Sequence, residues 1–142
     1  MNNILFKRLE ETDVKDMQEI IENDNQKFNL ENIKSFIENR NNYGFIGKID
    51  NRIVAFLYGY GMLRPDGESM FYIHSVDVIP DYQNKGIGTQ LMEYVLKYIK
   101  AEKKYYKFFV LTEDDNIRAC KVYQKYADKE GQVLFSKNLD EV

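Results

Sequence analysis

Tryptophan is absent from this chain of 142 residues, histidine and cysteine occur once each, and proline occurs twice. Each scarcity excludes something. A single cysteine, Cys120, cannot close an internal disulfide, and one histidine, His74, leaves no Cys/His cluster of the kind that holds a metal. A reducing, cytoplasmic setting without a metal is therefore expected. Pro65 and Pro80 should each mark a loop, because proline removes a backbone donor. No window reaches the about 18 apolar residues that a membrane span needs. The N-terminal MNNILFKRLEE reads as a first strand rather than a signal peptide. Excess charge is missing too: 20 basic against 23 acidic residues leave a net charge of −3. That balance argues against non-specific nucleic-acid binding and favours a cationic partner.

What is present is globular. Apolar residues make up 44% and charged residues 30%, and the length suits one domain, residues 1–142, with a closed core. Without Trp, the 11 Tyr and 9 Phe must supply the aromatic bulk.

Periodicity places the elements. ILFKRLE alternates as a strand. Thr12 or Asp13 can cap a helix that puts Val14, Met17, Ile20 and Ile21 on one face, and Asn29 can cap a second with Leu30, Ile33, Phe36 and Ile37. Tyr43 to Ile49 and RIVAFLYGYGML read as a hairpin turning at Asp50-Asn51. RPDGES is the next turn, leading into the strand MFYIHSVDV. Leu91, Tyr94, Val95, Tyr98 and Ile99 give helical spacing from Ile87 to Lys103. YYKFFVLT is a strand, Asn116 to Ala127 a helix, and QVLFSKN a last strand. Interleaved strands and helices predict one mixed-sheet α/β domain.

The stretch DVIPDYQNKGIGTQL, residues 77–91, joins a strand to a helix through two glycines. A dinucleotide fingerprint needs a third glycine where Leu91 stands, and a Walker loop needs Lys-Ser/Thr where Thr89-Gln90 stand. Both fail. What remains is a helix start whose amides lack internal partners and carry the positive end of the peptide dipoles. Glycines let a phosphate approach such a backbone, and Lys85, Gln83 and Asn84 add charge and donors. A plain helix start with glycines for tight packing explains the spacing equally well.

VDVIPDYQNKGIGTQLMEYVL resembles the acyl-coenzyme A signature of the GNAT N-acetyltransferase superfamily, [QR]-x-x-G-x-[GA] after a strand. Gln83, Gly86 and Gly88 stand at its marked positions. Downstream, NIRACKVYQKYAD resembles the second family motif, with Asn116, Ala119 and Tyr123 matching, while Ala127 and Asp128 depart from the usual Gly-aromatic pair. The resemblance implies the GNAT fold, a single mixed central sheet flanked by helices on both faces, and acetyl transfer from acetyl-coenzyme A to a primary amine. Within the superfamily the chain looks most like aminoglycoside 3-N-acetyltransferases, although Ser75 stands where that subgroup tends to have Asp. A polyamine or a protein N-terminus or lysine is the alternative acceptor, and a non-catalytic acyl-coenzyme A sensor the alternative function. Dimers are common in the family, so a homodimer is possible.

The resemblance also assigns residues. The backbone of Val76, Asp77 and Val78 would hold the pantetheine arm and the oxyanion. Gln83, Asn84, Lys85, Gly86, Ile87, Gly88 and Thr89 would cradle the phosphates, with Asn116 and Tyr123 completing the coenzyme site. Tyr123 would protonate the leaving sulfur. An alkyl amine, with a pKa of about 10.4, must first lose a proton, so a base or water relay is needed. The candidates are His74, Tyr72 through a water, and Glu68. Asp77, odd in an apolar strand, marks a bulge or an outward position. Glu113-Asp114-Asp115, with Asp66 or Glu68, either attracts a polyamine-like acceptor or forms a solvated loop. Cys120 reads as core packing.

Overall fold

Period-two alternation of Val, Ile, Phe and Tyr builds five strands, which lie in one sheet in their chain order. They are β1 (Ile4–Arg8), β2 (Asn42–Ile49), β3 (Arg52–Met62), β4 (Met70–Val78) and β5 (Lys107–Val110). The first four are antiparallel, and β5 runs parallel to β4. The computed structural model describes residues 3–22 and 28–142, and the chain divides into two compact units, Met1–Leu111 and Thr112–Val142. The sheet belongs to the first unit, with α1 (Gln18–Glu22), α2 (Leu30–Glu38) and α3 (Ile87–Glu102); α4 (Ile117–Tyr123) belongs to the second.

Helices cover both faces, as expected. On one, Phe45 of β2 meets Tyr94 and Tyr98 of α3, with ring centroids 6.2 and 5.0 Å apart. On the other, Tyr58 and Tyr60 of β3 each lie 5.7 Å from Phe36 of α2. The i, i+4 stripe Ile87, Leu91, Val95 and Ile99 is buried along α3, and Tyr43, Phe45, Leu57, Phe71 and Ile73 are buried in the strands. Each such side chain contributes about 1.5–3 kcal/mol by leaving water. The β2–β3 hairpin closes at the predicted turn: Ile49 pairs with Arg52, and Asp50 takes φ 55°, a left-handed conformation that Asp tolerates.

Three expectations are corrected. The first helical segment opens as a 3-10 helix, Glu11–Asp16, before α1. Asp13 does not precede it as a cap but reaches back from inside, accepting the Glu10 backbone N–H at 3.0 Å. The strand expected over YYKFFVLT is confined to Lys107–Val110. QVLFSKN, residues 132–138, forms no strand, because a strand needs a neighbour and none is supplied to it within its unit. Among the described residues no helix is long and apolar enough to cross a membrane.

Candidate active site

The site begins at an irregularity in β4. Tyr58 pairs with Ser75 but the next residue, Gly59, pairs with Ile73, so His74 is the extra residue of a β-bulge. Gly59 is required there: a Cβ would lie 2.1 Å from the Tyr72 carbonyl oxygen. On its other side β4 pairs with β5 only from Met70–Lys107 to Ile73–Val110. From Ser75 to Val78, β4 therefore continues beyond the end of β5, and its backbone on that side is placed to bond an extended ligand as a strand would. The bulge sits at His74 rather than at Asp77, which pairs in register with Phe56. Asp77 is half-buried and accepts the Ser75 hydroxyl at 2.9 Å.

The chain then turns sharply. Ile79 donates its N–H to the Val54 carbonyl at 2.9 Å, Pro80–Tyr82 form a 3-10 turn, and the Gln83 side-chain amide donates to the Val78 carbonyl at 2.9 Å. Gln83 thus ties the loop to the strand end. Asn84 and Gly86 follow with φ 62° and 80°, and α3 starts at Ile87. A hub that sequence reasoning missed braces this loop. Arg52 donates to both carboxylate oxygens of Glu19 at 2.7 Å and to Asp81 at 3.2 Å. Its guanidinium carbon lies 5.3 Å from the centre of the Tyr82 ring, and Lys85 Nζ lies 5.2 Å from the same centre. Glu19 and Asp81 stand far from Arg52 in sequence, so no local pattern could have found the hub.

The glycines test whether a phosphate fits. The nearest atom to a Cβ on Gly86 would be Gln90 Nε2 at 3.9 Å, and on Gly88 it would be Val78 Cγ2 at 3.7 Å. Protein packing therefore requires neither glycine. Gly86 is required by its positive φ, whereas at Gly88 a Cβ would make ordinary contact with the side chains of Val78 and Val76. Gly86 at the N-cap of α3 offers no side-chain cap, and the first turn holds no acidic residue, so no carboxylate of that turn opposes the positive end of the helix. An anion of pyrophosphate type fits this donor set.

His74 is exposed and its Nδ1 lies 3.1 Å from the Tyr72 hydroxyl. It stands among rings, 5.1 Å from Tyr58 and 6.2 Å from Tyr60. Glu68 lies in the turn before β4, where its backbone N–H donates to Asp66 Oδ1 at 3.0 Å. Tyr123 ends α4, and Asn116 caps that helix by accepting the Ala119 N–H at 3.1 Å. Cys120 is half-buried, with its thiol 3.9 Å from the Glu113 carbonyl. Two of the acidic residues, Asp66 and Asp114, meet local cations. Asp114 pairs with Lys129, which holds its carboxyl below the ordinary range. Asp66 is held low by the Glu68 backbone N–H and by Arg64. Among the described residues no group of side chains could hold a metal ion.

The acetyltransferase (GNAT) family matches residues 6–127. Streptothricin acetyltransferase A of Bacillus subtilis is 27% identical over 92 residues, 65% of this chain and 50% of its own length. An N-alpha-acetyltransferase of Saccharolobus solfataricus is 26% identical over 109 residues, 70% of this chain and 65% of its own. The chain thus spans less than two thirds of the length of these curated relatives. In fold it is similar to an aminoglycoside acetyltransferase from an uncultured soil metagenomic sample, solved in complex with sisomicin, with a TM-score of 0.81 at 22% identity over 96% of each chain. With the bulged β4, the uncapped α3 and a family match over most of its length, the chain belongs to the acetyltransferase (GNAT) family.

Proposed function

We propose that this protein moves an acetyl group from acetyl-coenzyme A to the primary amine of a small acceptor, aminoglycoside-like in the first instance. The observation that carries the proposal is the start of α3: a helix that opens on Gly86 at φ 80°, with no side-chain cap from that residue and no acidic residue in its first turn. The pyrophosphate would lie on the amides of Ile87, Gly88 and Thr89, beside Asn84 and Lys85. The pantetheine arm would extend along Val76, Asp77 and Val78.

Acetyl-coenzyme A, when bound, supplies a thioester carbonyl and a thiolate leaving group. The chain's own residues handle the protons and the charge. In the tautomer whose Nδ1–H donates to the Tyr72 hydroxyl, His74 keeps an open Nε2 lone pair with which to take a proton from the acceptor ammonium. A backbone N–H between Val76 and Val78 donates to the oxygen that gains charge. Motif resemblance gives Tyr123 the proton that the sulfur needs, and Asn116 a supporting place as the cap of its helix. Glu68, in the turn before β4, is the second candidate base.

The acceptor is chosen on the likeness to the sisomicin-bound enzyme. An N-terminal amine of a peptide is the second reading, favoured by the N-alpha-acetyltransferase relative. A thiol-release assay with acetyl-coenzyme A against aminoglycosides, polyamines and peptides decides between them. If no amine gives release, despite measured coenzyme binding, a non-catalytic sensor is favoured. Replacing His74 with Gln or Tyr123 with Phe should lower turnover and leave acetyl-coenzyme A affinity intact; full activity in either variant removes that residue from the mechanism.

A further inference from the structure

Beside His74 the sheet carries a row of rings that the two motifs do not assign. Tyr60 of β3 stands opposite Tyr72 of β4, and Tyr72 opposite Phe109 of β5, so register puts all three on one face. Their planes are nearly parallel, 21 and 20° apart, with ring centroids 6.2 and 4.9 Å apart. His74 stands almost perpendicular to the row, at 89° to Tyr72 and 78° to Tyr60, with centroids 5.5 and 6.2 Å away. The three rings are half-buried and His74 is exposed, so ring surface meets solvent next to the base. Carboxylates are scarce here. β3, β4 and β5 together hold one, Asp77, which stands opposite Phe56 and accepts the Ser75 hydroxyl. Burial and the neighbouring Tyr72 push the Tyr60 phenol up, so Tyr60 brings a neutral ring and no phenolate charge.

We propose that the ammonium of the acceptor is seated on the ring faces of Tyr60 and Tyr72 by cation–π attraction rather than by an ion pair, a seat that selects an alkyl ammonium over a neutral group of the same size. The proposal rests on the reading of His74 as the base that receives the acceptor. Such a seat suits deprotonation. A carboxylate beside the ammonium would raise its pKa and hold the proton in place. Ring faces attract the charge less strongly, and partial burial favours the neutral amine. The amine therefore reaches His74 Nε2 attracted but still able to give up its proton.

A titration of the full chain without coenzyme tests the seat apart from acetyl transfer. His74 is the only histidine, so its ring-proton NMR signals read the site directly. The probes are butylammonium chloride and its neutral isostere butan-1-ol at about pH 8, where an alkyl ammonium stays charged. The His74 signals should shift saturably with butylammonium, and the alcohol should bind at least about fivefold more weakly. Tyr60→Phe keeps a ring face and should keep that preference. Tyr60→Leu should lower the affinity for the amine about fivefold and leave that for the alcohol as it was. Equal affinity of the two probes for the wild type would overturn the proposal, whether or not the leucine variant folds. A leucine variant that keeps the preference would overturn it too, as would a phenylalanine variant that loses it, since the hydroxyl would then hold the amine. Saturable butylammonium binding with this preference, beside an absence of thiol release with every amine, would fail the acetyl-transfer reading and support the seat.

Discussion

Two kinds of helix start occur in this chain. At the first 3-10 helix, Asp13 takes the Glu10 N–H; at α2, Asn29 takes the Asn32 N–H at 2.7 Å; at α4, Asn116 takes that of Ala119. Each of these starts meets one of its own orphan donors with a side chain. α3, the longest helix described, opens on Gly86 with no side-chain cap. The difference separates stability from binding. A cap of Asn or Asp stabilises a helix by about 1 kcal/mol, and the same amides can serve a ligand only where the cap is withheld.

The largest break of that contrast is Gly88→Asp. A Cβ fits at this position, and a carboxylate in the first turn should stabilise α3 by about 0.3–1 kcal/mol. It would also occupy the place of the phosphate. Thermal melting should rise slightly while calorimetric coenzyme A affinity falls by more than about tenfold. Unchanged affinity would remove the anion seat from α3.

Asp13→Asn tests the opposite kind of start. Desolvation pushes the buried Asp13 carboxyl up, but hydrogen bonds from Lys7, the Glu10 N–H and Lys48 outweigh it and hold the group below the ordinary aspartate range. A folded-state pKa below the unfolded one contributes stability that is present above the ordinary aspartate pKa of about 4 and is lost as pH falls through the folded value. The variant should lose about 2 kcal/mol at pH 7, estimated for two partly solvated lysines that keep only their longer contacts to Glu10 and Asp16, and less in acid. Denaturant titrations at pH 7 and pH 3 measure both, and an equal loss at the two pH values would contradict the ion-pair explanation.

Arg52→Ala has a smaller expected effect. It frees Asp81 and one side of Tyr82, so the loop ahead of α3 loses its brace. The acetyl-coenzyme A KM should rise roughly fivefold, with kcat unchanged, as removal of a positioning contact worth about 1 kcal/mol predicts. A fall in kcat with constant KM would assign Arg52 another role. Smallest is Asn29→Ala, which should cost about 1 kcal/mol of stability and leave coenzyme affinity untouched.

Local chemistry made much of this legible in advance. Asn29 as a cap, the Asp50-Asn51 hairpin turn and the apolar stripe of α3 all depend on residues within a turn or two of each other. So did the two motifs, which led to the family. Contacts between distant segments were not legible. The bulge at His74 follows from the Tyr72 carbonyl sitting where a Cβ of Gly59 would be, which no pattern in MFYIHSVDV announces. Arg52 meets Glu19 and Asp81 only because the sheet brings their elements together. QVLFSKN has strand composition, but composition cannot supply the neighbouring strand.

Backbone amide chemical shifts during a coenzyme A titration test the central claim most directly. The account predicts that the amide signals of Ile87, Gly88 and Thr89 move, with Gly88 shifted downfield as it donates to phosphate, while Asn32 at the capped start of α2 stays in place. Saturable binding that leaves the Gly88 amide unmoved would contradict it.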